Sequence, residues 1–100
     1  MSKSDDFREC SNGPLPGSME SRAHFDEGGH EFALTRDDAL EYLNWCEGRG
    51  LNVLGFDAWM PTRPGPTVIN GGGFEGDASA CRVAITGFPG DLVFNIWVET

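Results

Sequence analysis

Between Arg36 and Glu47 the apolar side chains return at helical spacing. On a wheel of 100° per residue, Ala39, Leu40, Tyr42, Leu43 and Cys46 share one face, and Asp37, Asp38, Glu41 and Asn44 take the other. Thr35 stands where an N-cap belongs, and Asp38 follows three residues later as in a capping box. The pair Asp37 and Asp38 suits the positive end of the helix dipole. Gly48-Arg49-Gly50 is a helix stop. The pattern predicts a helix over residues 36–47. Trp45 falls on its polar side near the boundary.

Two apolar runs read as strands. Leu51 to Trp59 carries Leu51, Val53, Leu54, Phe56, Ala58 and Trp59, and its near continuity suggests a strand covered on both faces. Leu92 to Val98 is apolar almost throughout, which assigns Trp97 to the core. A shorter strand is expected over Glu31–Leu34. Residues 77–86 are read as a second helix, with Asp77 as cap, Ala78, Cys81 and Ile85 on the inner side and Gly87 as the stop. The alternation of Cys81, Val83 and Ile85 is the competing strand pattern.

What lies between is punctuated by turn residues. Residues 61–76, rich in proline and glycine, read as a long loop pinned at Val68 and Ile69, of the kind that often carries function. Residues 1–18, with Ser2, Ser4, Ser11, Asn12, Gly13, Pro14, Pro16, Gly17 and Ser18, show neither helical nor strand spacing. They read as a flexible arm or an appended non-native segment, with the folded domain over 19–100. The expected class is α+β: one two-layer domain of order β-α-β-loop-α-β, a sheet of about three strands with two helices packed on it.

Composition narrows the function. Seven basic residues face sixteen acidic ones, a net charge of −9. Such a surface repels nucleic acid and anionic membrane, which need cations opposite their phosphates, and attracts a basic protein. Solubility alone also accounts for net negative charge. No apolar run approaches the ~20 residues of a membrane span. The polar start, with Lys3, Asp5 and Asp6, lacks the apolar core of a secretion signal, so the expected location is cytoplasmic. Cys10, Cys46 and Cys81 are scattered and form no CxxC pair, a poor disulfide framework and a poor zinc site.

No constellation specifies catalysis, and a non-enzyme is expected. His24, Asp26, His30 and Glu31 are near in sequence, but no HExxH spacing occurs, and solvated polar residues are the simpler reading. Asn70-Gly71-Gly72-Gly73 lacks the following Lys-Ser/Thr of a phosphate loop, and Glu75 and Asp77 beside it would repel an anion. No metal or cofactor is expected. What remains is an interface. Trp45 stands among Asp37, Asp38 and Glu41, and Trp59 closes a strand before the Pro/Gly segment, near Asp57, Glu75 and Asp77. Tryptophan anchors ringed by carboxylates suit a partner's arginines and lysines. The plainer alternative makes both tryptophans lids on the core and the acids merely solvated.

The stretches Leu34-Thr35-Arg36-Asp37-Asp38-Ala39-Leu40-Glu41-Tyr42-Leu43, Asn52-Val53-Leu54-Gly55-Phe56-Asp57-Ala58-Trp59 and Asp91 to Val98 carry a resemblance of length, acidity and element order. In these the chain resembles the bacterial immunity proteins of polymorphic-toxin and contact-dependent-inhibition systems. The resemblance implies a small cytoplasmic protein that binds one cognate toxin with a basic surface, a nuclease for example, and covers its active site. It transfers no catalytic residue. The competing readings are a small enzyme or ligand-binding domain, with residues 61–76 as a lid over Asp57 and Glu75, and an adaptor subunit of a larger assembly.

Overall fold

A computed structural model of the chain describes residues 7–62 and 66–99. In chain order the elements are β1 (Phe7–Cys10), β2 (Gly13–Pro16), a 3-10 helix (Gly17–Arg22), β3 (His24–Phe25), β4 (Phe32–Thr35), α1 (Arg36–Gly48), β5 (Asn52–Met60), β6 (Thr67–Glu75), α2 (Ala78–Thr86) and β7 (Val93–Glu99). The class is α+β, but the expected three-stranded sheet is corrected. The described residues form two sheets, a β1–β2 hairpin and a five-stranded sheet of order β3-β4-β7-β5-β6. Every pairing in them is antiparallel.

The helices form where their patterns place them. Ala39, Tyr42, Leu43 and Cys46 of α1 are buried, and Leu40 is half-buried. Thr35 precedes the helix without a side-chain cap bond, and Asp38, instead of completing a capping box, pairs with Arg22 at 3.0 Å. In α2 the cap is made: Ala80 N–H donates to Asp77 Oδ1 at 3.0 Å. Ala78, Cys81 and Ile85 point inward while Val83 is 75% exposed, which a strand with alternating burial would not allow.

Both helices pack on one face of the sheet. Between them and the strands lies the core, in which Phe56 sits within 5.4–5.7 Å, centroid to centroid, of Phe74, Phe88 and Phe94. Tyr42 makes edge contact with Phe32 at 5.5 Å and donates from its hydroxyl to Pro14 O at 2.7 Å.

Most of the loop expected over 61–76 is instead a strand. Thr67–Glu75 is a strand, paired with β5 from Met60↔Thr67 to Gly55↔Glu75. Glycine normally weakens a strand, and composition therefore pointed to a loop. Here the register slips between Asp57 and Trp59, so that β6 accommodates an irregular stretch in which Gly72 fits closely against Ala58 of β5. A Cβ on Gly72 would stand 2.8 Å from Ile69 Cγ1 and 3.1 Å from Ala58 O.

Residues 7–16, read from sequence as part of a flexible arm, form a packed hairpin in which Asn12 and Leu15 are fully buried. Asn12 O accepts from Val98 N–H at 2.8 Å, so the hairpin turn extends the edge of β7 beyond the short β4. Residues 1–6 of that arm and residues 63–65 of the expected loop lie outside the described residues.

Candidate functional site

The sheet has a second face, away from the helices. Registers Gly55↔Trp97, Asp57↔Asn95 and Trp59↔Val93 put these six residues on that outer face, with Gly73 and Glu75 beside them on β6. Its two ends differ. At one end Trp59, with Ala33 and Val93, forms a small closed cluster; Trp59 is 4% exposed and its indole N–H has no partner among the described residues. At the other end the face opens into a concavity of about 560 Å³, lined by Leu54, Gly55, Phe56, Asp57, Gly73, Phe74, Glu75 and Trp97.

Backbone geometry makes the concavity. One extra residue is inserted in β5 between Val53 and Gly55 relative to β7, and Leu54, in that bulge, is 46% exposed. Gly55 then passes so close to β6 that a Cβ would lie 2.1 Å from Phe74 O. Only glycine fits there, because a side chain would run into the β6 backbone at Phe74 and Glu75. Trp97 lies across Gly55 on one side and Glu75 on the other. Asp57 stands one step along β5, and its Oδ1 lies 3.1 Å from where a Gly73 Cβ would be.

Trp97 is held in place. Its indole N–H donates to Asn95 Oδ1 at 2.6 Å, and Asn95 Nδ2 donates to Phe32 O at 2.8 Å, so a buried amide ties the ring to the sheet. Glu31 adds a further acid nearby: burial pushes its carboxyl above the usual range, and the charges of Asp26 and Asp57 push it the same way. Neither Asp57 nor Glu75 makes an ion pair among the described residues. The described arginines sit elsewhere. Arg8 pairs with Glu20, Arg22 with Asp38 and Arg82 with Glu47; Arg36 donates to Phe88 O, and Arg49 lies over the rings of Phe7 and Trp45.

The residues singled out from sequence therefore divide. Asp37, Asp38, Glu41 and Trp45 belong to α1, on the helical layer. Asp37 and Glu41 are exposed, Asp38 is in an ion pair, and Trp45 is half-buried, stacked on Tyr42 at 5.7 Å. Asp57, Trp59 and Glu75 lie on the outer face of the sheet, on the other side of the molecule. Asp77 is exposed but occupied as the cap of α2. Trp59, expected as an anchor, is closed off, while Trp97, expected in the core, lines the concavity. The sequence held a signal for this. Asn95 and Asp57 are the polar positions of two apolar strands, and Trp97 and Gly55 share their faces at period two.

Among the described residues no group of three or more His, Cys, Asp or Glu side chains is placed to hold a metal. The lid reading loses its lid, since Thr67–Glu75 is paired along β5. No described helix is long and apolar enough to cross a membrane. Comparison with protein-family models, curated proteins and solved structures gives no match of any kind.

Proposed function

We propose that this chain is a non-catalytic, acidic binding protein that docks onto a basic protein partner. In its specific form the proposal is an immunity protein, acting in the bacterial cytoplasm, that neutralises a cognate toxin by covering its active site. One observation carries the reading: the open end of the outer sheet face gathers Asp57 and Glu75, without ion pairs among the described residues, around a half-buried tryptophan and the exposed Leu54. Interfaces of this make-up, an aromatic centre with charged surroundings, concentrate binding energy on the ring and use the charges for steering. The net charge of −9 extends that steering over the whole molecule. The sequence resemblance supplies the immunity form of the proposal.

The test is co-purification with the toxin-like domain of a neighbouring gene product, followed by calorimetry over a salt series. Tight association that weakens steeply with salt is expected. Reversing Asp57 and Glu75 together to lysine should cost about 100-fold or more in affinity, since each reversed charge turns attraction into repulsion. Reversing Asp37 and Glu41, on the helical layer, should change affinity by less than about threefold. Loss of binding with the second pair and not the first would move the contact to α1. Absence of any basic partner would end the proposal.

A further inference from the structure

We infer that the concavity between Trp97, Asp57 and Glu75 is a pocket for one arginine side chain of the basic partner; this rests on the docking reading above and specifies its central contact. A side chain entering the concavity from solvent would lie over the bare Gly55 and Gly73 backbone. On the outer face its neighbours across the strands are Trp97 and Glu75, and along β5 it meets Asp57. Strands lie about 4.8 Å apart, so the slot between the Trp97 and Glu75 backbones is about 10 Å wide. That width admits a flat group laid against the indole with its edge toward the carboxylates.

The chemistry selects guanidinium over ammonium. An indole attracts a cation at its face, and arginine stacks there more often than lysine. Two carboxylates on adjacent strands match the fork of N–H donors that arginine holds rigidly, whereas lysine offers a strongly hydrated point charge. The pocket is set in advance: Asn95 fixes the Trp97 indole through its N–H, leaving the π-system for the ligand. Gly55 and Gly73 contribute no side chain to fill the floor. Among the described residues, Arg8, Arg22 and Arg82 are paired with Glu20, Asp38 and Glu47 rather than with Asp57 or Glu75.

The direct probe is acetyl-arginine-methylamide, titrated into the isotope-labelled protein by NMR, with acetyl-lysine-methylamide as the comparison. Saturable shifts of the Trp97 indole N–H and of the Gly55 and Gly73 amides are expected in the millimolar range, with the Trp45 and Trp59 indoles unmoved. The lysine compound should bind several-fold more weakly. The neutral double variant Asp57→Asn, Glu75→Gln, which keeps size and shape, should abolish the shifts while leaving the rest of the spectrum unchanged. Absence of a saturable response at Trp97, or equal response to the two compounds, overturns the pocket. A basic partner that binds the wild type and this double variant equally well would also overturn it, while leaving the docking reading intact. Arginine binding at Trp97 without retention of any basic protein would support the pocket and end the docking reading.

Discussion

Asn12 and Phe32 are hydrogen-bonded to each other in both directions: Phe32 N–H donates to Asn12 Oδ1 at 3.0 Å, and Asn12 Nδ2 donates to Phe32 O at 3.3 Å. The same Nδ2 donates to Ile96 O at 2.6 Å. One side-chain amide thus stands in for a peptide group between β4 and β7, where the two strands part. It is fully buried. Asn12→Ala would leave Phe32 N–H and Ile96 O in the interior without this partner, and buried groups so stranded cost about 1–3 kcal/mol each. The expected loss is about 3 kcal/mol, read as a lower urea midpoint at unchanged slope. A loss below about 1 kcal/mol would mean that water replaces the amide.

Gly55 is the second position that no other residue can fill. Its φ of +156° is disfavoured for side chains, and a Cβ would collide with Phe74 O at 2.1 Å. Gly55→Ala must separate β5 from β6, and a loss of more than about 2 kcal/mol is expected. Gly71→Ala is the control. Gly71 also has a positive φ, of +75°, but a Cβ there meets nothing within 4 Å, and a cost of about 1 kcal/mol is expected from conformation alone. Thermal or urea denaturation of the two variants separates collision from backbone preference.

Glu31 gives the stability a pH dependence of known sign. Its folded carboxyl titrates above the usual range because of burial, with Asp26 and Asp57 adding to the effect and His30 opposing it. The folded state therefore holds the proton more tightly than the unfolded chain. Stability from this group is greatest in acid and declines as pH rises through the ordinary glutamate range and up to the raised folded value. Glu31→Gln should raise the melting temperature at neutral pH, and the difference should vanish below about pH 4. A constant difference across the series would assign the effect to packing.

Burial pushes the Cys46 and Cys81 thiols up to about 11. Thiolate is the reactive form, so neither should react readily at mildly basic pH. Cys10 is raised as well but is only partly buried, at the end of the hairpin strand β1. Timed iodoacetamide labelling of the folded protein, read by mass spectrometry, should modify Cys10 first. Because the unfolded thiols ionise earlier than the folded ones, stability should also fall as pH climbs from the ordinary thiol range toward about 11. Early labelling of Cys81 would place α2 among the first segments to open.

Local chemistry was enough to locate α1, α2, β5 and β7 to within a residue or so. Each carries its own signal: Ala39, Tyr42, Leu43 and Cys46 at helical spacing, Asp77 with Gly87 framing α2, and nearly continuous apolar runs in the two long strands. Asp57 itself stands out for the same reason, as a polar position within an apolar strand. What each strand faces was not, because a run such as Leu51–Trp59 is apolar for more than one reason. Trp59 and Trp97 lie at opposite ends of one sheet face, and which of them closes and which stays open depends on the cover of Ala33 and Val93 at one end and on the bulge at Leu54 at the other.

By itself, then, the sequence determined the class, the helices, the two central strands and the acidic character, since these follow from side-chain periodicity, capping and charge within short windows. Tertiary structure alone decided that glycine-rich residues 67–75 make an edge strand, that Asn12 joins β4 to β7, and that Gly55, Asp57, Glu75 and Trp97 meet. Those outcomes depend on pairing between segments distant in sequence. A backbone group has no preference for its partner until the neighbouring strand, its register and its bulges are in place.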